Sequence, residues 1–400
     1  GIKVSVSLPG SKSIANRLLI IHALSGNPDP VGNLSDSDDT RALLLALTSA
    51  SYEKNVGHAG TTMRFLTAYF AITPGKVLLT GSERMKERPI GPLVEALRKL
   101  GADITYKEKD GFPPLEINGK KLPGGEISIK SNVSSQFISA LLMIAPRLEN
   151  GLKIHLEGEQ VSASYIRMTL ELMRQYGADY LWVGNTIEVR PGTYSKGEYM
   201  VESDWSGASY WYSLALLDVM PAIALSSLHK DSLQGDSALA DLFFSLGIVS
   251  EFEEDRVVLK KIANIHPGIF SYDFTNCPDI VQSMAVALCM ANIPFHFTGT
   301  TTLRIKETDR IFALQEELKK LGFFLDSDPA GSFLSWERKV CEPEKAPLIS
   351  TYHDHRMAMA FAPAAHLLGE ISIDDPMVVT KSYPGYWEDM KNAGFQIEEI

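Results

Sequence analysis

Apolar and polar positions alternate along this chain with a period of its own. Five charged, amphipathic segments with helical spacing each stop at a glycine and pass into a short strand-like run. They end at Leu100-Gly101-Ala102, Tyr176-Gly177-Ala178, Leu246-Gly247-Ile248, Leu321-Gly322-Phe323 and Ala393-Gly394-Phe395. Glycine is expected just past a helix because it takes the left-handed conformation at little cost. The glycines are 76, 70, 75 and 72 residues apart. A second series of helices, mostly apolar and opened by small or polar residues, occupies the other half of each period. Its starts lie near Ala59, Ser134, Ser206, Asp279 and Asp354, at intervals of 75, 72, 73 and 75. Alternating segments such as Lys76-Val77-Leu78-Leu79-Thr80-Gly81 and Lys153-Ile154-His155-Leu156-Glu157-Gly158 follow several of them and read as half-buried strands. A shorter unit fits at the front, where Ser11 opens a helix 48 residues before Ala59. The pattern therefore predicts six copies of a β-α-β-α-β-β-like unit of roughly 70 residues. Six units suggest two domains of three units each, with a boundary near Glu202-Ser203 and no Pro-, Gly- or Ser-rich linker to mark it.

Composition narrows the function classes. Hydrophobic residues make up 45% and charged residues 22% of the chain, a globular balance that excludes global disorder. The net charge of −11 argues against a general nucleic-acid or acidic-membrane binder. Cys277, Cys289 and Cys341 fit no zinc spacing, and their odd number suits a reducing compartment. No run of ~18 apolar residues is present to span a bilayer. The chain opens Gly1-Ile2-Lys3-Val4, without an apolar signal stretch and without Met, which is expected of a trimmed N-terminus.

Cations gather where the apolar helices begin. A helix N-terminus offers free N–H groups and partial positive charge, so added cations there oppose the macrodipole unless an anion offsets them. Yet Leu8-Pro9-Gly10-Ser11-Lys12-Ser13 runs into Asn16 and Arg17, with Lys12/Asn16 and Ser13/Arg17 as i,i+4 pairs. The segment superficially resembles a phosphate-binding loop but lacks its Gly-Lys pair. Arg84-Met85-Lys86-Glu87-Arg88-Pro89 places three cations within five residues. In Arg304-Ile305-Lys306-Glu307-Thr308-Asp309-Arg310, a helix would make Lys306 and Arg310 a like-charged i,i+4 pair, with Glu307 between them available for proton transfer. Asp279 follows Pro278 at a helix start and reads as either a cap or a general base. Asp354-His355-Arg356 and Lys381-Ser382-Tyr383-Pro384 complete the set; His353 and His355 lack the further ligands of a metal site. Lys12, Arg17, Arg88, Lys306, Arg310, Arg356 and Lys381 together suit a small, multiply charged anion.

Taken in order, these segments resemble the 5-enolpyruvylshikimate-3-phosphate synthase family. The matching strings are LPGSKSIANR, SDSDD, AGTTMRF, RMKERPIGPL, SSQFISALLM, YIRMTLELM, SGASYW, the Pro278-Asp279 start, RIKETDRI, HDHRMAM and KSYPGYW, from residue 8 to 387. The resemblance implies an α/β (α+β) fold of two inside-out α/β-barrel domains, each of three repeated β-α-β-α-β-β units, with the active site in the interdomain cleft. It also implies that the chain crosses between domains twice, so that residues 1–9 join 203–400 and residues 10–202 form the other domain. Lys12, Ser13, Arg17, Ser134, Ser135, Gln136, Ser162, Tyr165, Asp279 and Lys306 match the shikimate 3-phosphate site. Lys12, Gly60, Arg88, Gln136, Arg310, Arg356 and Lys381 match the phosphoenolpyruvate site, and Asp279, Glu307 and Lys12 match the proton-transfer groups. The chain departs from the family pattern at His58, Thr62, Phe65, Thr302 and His353, and the stretch before Ala59 is short.

The implied reaction moves the enolpyruvyl group of phosphoenolpyruvate to the 5-hydroxyl of shikimate 3-phosphate through a tetrahedral intermediate, releasing phosphate. It needs no metal or organic cofactor. The expected chain is a cytoplasmic monomer of aromatic amino acid (chorismate) biosynthesis that binds neither nucleic acid nor membrane. Two other readings stay open. One is the sister transferase acting on UDP-N-acetylglucosamine, which uses a loop Cys where this chain has none after RMKERP. The other is a catalytically silent anion-binding relative.

Overall fold

The structure is a computed structural model and describes residues 4–159 and 163–400. It separates into two compact units, one running from Gly10 to Val201 and the other combining the residues up to Pro9 with Glu202–Ile400.

In the Gly10–Val201 unit, helix type follows apolar content. Helix α1 (Lys12–Ser25) starts where the Ser11 hydroxyl accepts the Ile14 amide, and it is buried without a break from Ile14 to Ile21. Helix α2 (Asp38–Thr48) is capped by Ser37 and buries only a stripe. Helices α3 (Gly60–Ile72) and α5 (Ser135–Ile144) are buried nearly all round, whereas α4 (Gly91–Lys99) and α6 (Ala163–Gln175) bury one face. An apolar circumference can be satisfied only inside the core. So α1, α3 and α5 pack on one another, and α2, α4 and α6 lie outside them. Each of α3 and α5 is also the crossover that a parallel strand pair requires. Glu53–Asn55 runs parallel to Gly75–Thr80, and Gly125–Lys130 to Leu152–Glu157. Each sheet is completed by an antiparallel hairpin, Asp103–Tyr106 with Leu115–Gly119 and Tyr180–Val183 with Thr186–Val189.

The other unit repeats this plan. Val4–Val6 pairs in parallel with Ile223–Ser226, so the opening strand completes a repeat whose inner helix, α7 (Trp205–Leu216), begins some 200 residues later. The rest of that sheet is Arg256–Lys261 and Ile248–Phe252, with α8 (Leu239–Phe244) between strands. The next repeat holds the parallel pair Phe270–Asp273 and Phe295–Thr298, α9 (Val281–Met290), α10 (Arg310–Lys320) and the hairpin of Asp326–Ser327 with Phe333–Trp336. Last come α11 (His355–Phe361), α12 (Ala365–Leu368) and α13 (Tyr386–Asn392). All of α7 and α11, and α9 up to Cys289, are buried, and α9 packs against both of the others.

The five repeat glycines have φ of 100°, 97°, 94°, 99° and 104° at Gly101, Gly177, Gly247, Gly322 and Gly394. After four of them the next amide reaches back to the helix, as in Ala102 to Leu97 at 3.0 Å and Phe395 to Met390 at 3.1 Å. This is the hydrogen-bonded helix stop that glycine makes inexpensive. The expected six copies are not equally complete. Among the described residues, the first unit shows only an isolated parallel bridge, Gly32 with Met200, and the last pairs only Leu348–Ile349 with Ser372–Ile373. Proline explains both, since it cannot donate to a ladder: Pro28 and Pro30 precede Gly32, while Pro343, Pro347 and Pro376 flank the short pair.

Candidate active site

In the Gly10–Val201 unit the predicted residues collect at the starts of the inner helices. Lys12, the first residue of α1, is half exposed and pairs with Asp39 of α2 at 3.1 Å. Arg17, one turn on, is buried, and its guanidinium donates to Thr169 Oγ1 (2.7 Å), the Ser13 carbonyl (3.0 Å) and Ser139 Oγ (3.5 Å). It also lies over the rings of Phe65 (5.4 Å) and Tyr165 (5.5 Å), and burial holds its pKa at about 10. Ser134 caps α5 by accepting the Gln136 amide, leaving Ser135 as the first helical residue. The Gln136 side chain donates to Thr61 Oγ1 at 2.9 Å and accepts from Arg64. Gly60 opens α3 with the Arg88 guanidinium so close that a methyl group there would overlap it. Among the described residues, Lys12–Asp39 is the only ion pair that Lys12, Arg17, Arg64 or Arg88 makes. This end therefore carries cations in excess.

The other unit joins its cations to carboxylates. Arg310, 1% exposed, opens α10 and meets three of them. Its Nε and one Nη donate to Asp354 at 2.7 and 3.4 Å, the same Nη donates to Glu307 at 2.7 Å, and the other Nη donates to Asp279 at 3.1 Å. Asp354 also caps α11 by accepting the Arg356 amide. Arg356 lies 3.7 Å from Asp279 and donates to Tyr210 OH at 3.4 Å. Lys381 Nζ donates to Glu307 at 2.6 Å. Lys306 is exposed and adds its charge to the field at Asp279.

Burial and charge compete at each group. Burial would raise Asp279, but Arg356, Arg310 and Lys306 outweigh it and hold the carboxyl far below its ordinary range. Burial also opposes ionisation of Glu307, yet Arg310 and the Lys381 hydrogen bond bring it down to about 2. Both are therefore carboxylates near neutral pH, and weak proton acceptors while these cations stay in place. His355 is held neutral, at about 2, by burial and by Arg356. Asp236, hydrogen-bonded by Ser206, goes the other way, raised to about 7 by burial and by the Asp279 charge. A carboxyl raised in the fold stabilises it below the unfolded pKa of ~3.9, and that contribution is lost as pH rises through about 7. Asp236→Asn should therefore raise the melting temperature most at pH 8, with the gain shrinking toward pH 4. A gain of equal size at both pH values would contradict this.

Several expectations change. Lys306 and Glu307 precede α10, whose cap is Asp309, so Lys306 and Arg310 are not stacked on one helix face. Asp279 does not cap: it sits in a single 3-10 turn, Pro278–Ile280, and its carboxylate faces Arg310 and Arg356. Ser162 lies outside the described residues. Arg64, Asp39 and Asp354 were all within recognised strings but carried no assigned role. The missing signal was three-dimensional, since Arg310 and Asp354 are 44 residues apart and Arg64 and Gln136 are 72 apart. Cys277, beside Asp279 in sequence, is buried, and burial pushes its thiol up to about 12, which makes it a poor proton donor. Among the described residues there is no His/Cys/Asp/Glu group that could hold a metal ion, and no helix is long and apolar enough to cross a membrane.

Comparison with known proteins agrees with the residue pattern. The family model described as EPSP synthase (3-phosphoshikimate 1-carboxyvinyltransferase) matches residues 46–390. A 3-phosphoshikimate 1-carboxyvinyltransferase of Bacteroides fragilis is 51% identical over 398 residues, covering 99% of this chain and 97% of the relative. One from Methanospirillum hungatei is 36% identical, covering 97% and 95%. An EPSP synthase structure from Acinetobacter baumannii superposes with a TM-score of 0.81 at 20% identity, over 100% of this chain and 98% of the other, and so speaks to the fold. The chain belongs to the EPSP synthase (3-phosphoshikimate 1-carboxyvinyltransferase) family.

Proposed function

We propose that the chain carries out its family's reaction with the groups described above. It transfers the enolpyruvyl group of phosphoenolpyruvate to the 5-hydroxyl of shikimate 3-phosphate and releases phosphate, a step of aromatic amino acid biosynthesis. The observation that carries the assignment of roles is the Arg310 cluster, in which two ionised carboxylates, Asp279 and Glu307, share cations suited to anionic substrates.

Chemistry then follows from charge. Both substrates carry a phosphate and a carboxylate, and their mutual repulsion must be offset before the reacting atoms can meet. Lys12, Gly60, Arg88, Gln136, Arg310, Arg356 and Lys381 receive phosphoenolpyruvate. Lys12, Ser13, Arg17, Ser134, Ser135, Gln136, Ser162, Tyr165, Asp279 and Lys306 receive shikimate 3-phosphate. In the addition step the 5-hydroxyl oxygen bonds to C2 as its proton passes to a base, and C3 gains a proton. Elimination reverses the proton traffic: C3 returns a proton, the bond from C2 to the phosphate oxygen breaks, and phosphate leaves. Asp279 takes the hydroxyl proton; Glu307 and Lys12 serve C3 and the departing phosphate. An arriving anion draws Arg310 and Lys381 toward itself, which raises Glu307 from its resting value and lets it carry a proton. No cofactor enters this scheme.

We also read the two compact units as the protein's two domains, and the chain as a cytoplasmic monomer. The free thiols of Cys277, Cys289 and Cys341 support a reducing compartment. Phosphate release tests the activity. It should appear only when phosphoenolpyruvate and shikimate 3-phosphate are both present. Release with UDP-N-acetylglucosamine as acceptor would favour the sister transferase, and none with either acceptor would favour a silent anion-binding relative.

A further inference from the structure

The scheme above uses the first residue of α10 and leaves the rest of that helix without a part. Seven residues on, and so on the same face, Glu317 is buried, at 1% exposed. One of its carboxylate oxygens accepts from the Ser350 amide (2.7 Å) and Lys320 Nζ (2.6 Å), and the other accepts from Tyr352 OH (2.7 Å). Ser350 and Tyr352 belong to the connection that leads into α11. There Tyr352 and His353 are consecutive left-handed residues, with φ of 55° and 58°. Side chains other than Gly rarely take this conformation, and it persists only where surrounding contacts impose it. Directly after them stands Asp354, which holds Arg310 and caps the helix bearing Arg356. The Thr351 amide, bound to Asp374 at 2.8 Å, pins the segment from the other side.

We propose that Glu317 is a positioning residue for the transfer reaction: through Ser350 and Tyr352 it imposes the left-handed turn at Tyr352-His353 and so sets Asp354, Arg310 and Arg356 in register. Helix α10 thereby grips the 350–356 segment at two points two turns apart, by Arg310 on Asp354 and by Glu317 on Tyr352. The inference rests on the reading of Arg310 and Arg356 as phosphoenolpyruvate-binding groups.

Steady-state kinetics of the full chain at saturating shikimate 3-phosphate test it, with melting temperature measured alongside. Tyr352→Phe removes a single oxygen, and Glu317→Gln removes the charge. Each should raise KM for phosphoenolpyruvate about tenfold while kcat stays within about threefold, because ångström-scale displacement of binding groups is felt at this level. His353→Asn should restore at least about half of that loss on a logarithmic scale when combined with Tyr352→Phe, since the short Asn side chain can hydrogen-bond locally and visits the left-handed region more routinely. A parental KM in Tyr352→Phe and Glu317→Gln, even with a lowered melting temperature, would overturn the proposal, as would a double variant without recovery. Arg356→Ala separates the two failures. A raised KM there with a parental KM in Tyr352→Phe ends the positioning role alone, whereas a parental KM in Arg356→Ala ends the binding assignment itself.

Discussion

Arg310→Met is expected to abolish measurable turnover and to lower unfolding stability by roughly 3–5 kcal/mol, the cost of stripping one partner from buried charges. Asp354 is fully buried and has its Nε contact at 2.7 Å from this guanidinium. Removing it also leaves Asp279 and Glu307 close to that carboxylate without the cation that links all three. The loss should depend on pH in a definite sense. Glu307 is held at about 2 in the fold, against an unfolded value of ~4.3. Its contribution is therefore complete above ~4.3 and disappears as pH falls toward 2. Urea unfolding of parent and variant should show the gap narrowing from pH 6 to pH 3. A variant within ~1 kcal/mol of the parent at pH 7 would mean that the three carboxylates find other partners.

Lys12→Met separates activity from stability. The side chain is 51% exposed and makes one ion pair among the described residues, so stability should change by less than ~1 kcal/mol. Turnover should nevertheless fall at least about a hundredfold, because Lys12 is assigned both charge stabilisation and proton transfer. Coupled phosphate assays beside thermal melts would measure both. Near-parental turnover in a folded variant would remove Lys12 from the mechanism.

The repeat was legible because each of its marks is local. A left-handed residue after a helix calls for Gly whatever surrounds it, and Gly101, Gly177, Gly247, Gly322 and Gly394 all adopt that conformation. Ser11, Ser134 and Asp354 likewise cap the helices whose starts the sequence marks. What stayed hidden depends on distant partners. Nothing near Asp354 indicates that it holds Arg310, and nothing near Glu317 indicates that it holds Tyr352. The start of α10 was hidden for a related reason. A helix running through Lys306 and Glu307 would stack Lys306 on Arg310, but Asp309 accepts the Phe312 amide at 3.0 Å and caps the helix two residues after Glu307. The reduced first and last repeats were hidden because helix spacing survives where the paired strands are lost.

Lys12 and Arg356 are both read as cations that hold phosphoenolpyruvate, and that reading stands or falls on one measurement. Steady-state kinetics at saturating shikimate 3-phosphate, comparing the parent with Lys12→Met and Arg356→Ala, measures it most directly. Both variants should raise KM for phosphoenolpyruvate at least about tenfold, as expected when one of several cations facing an anion is removed. A parental KM in either variant, with the chain folded, would contradict the claim.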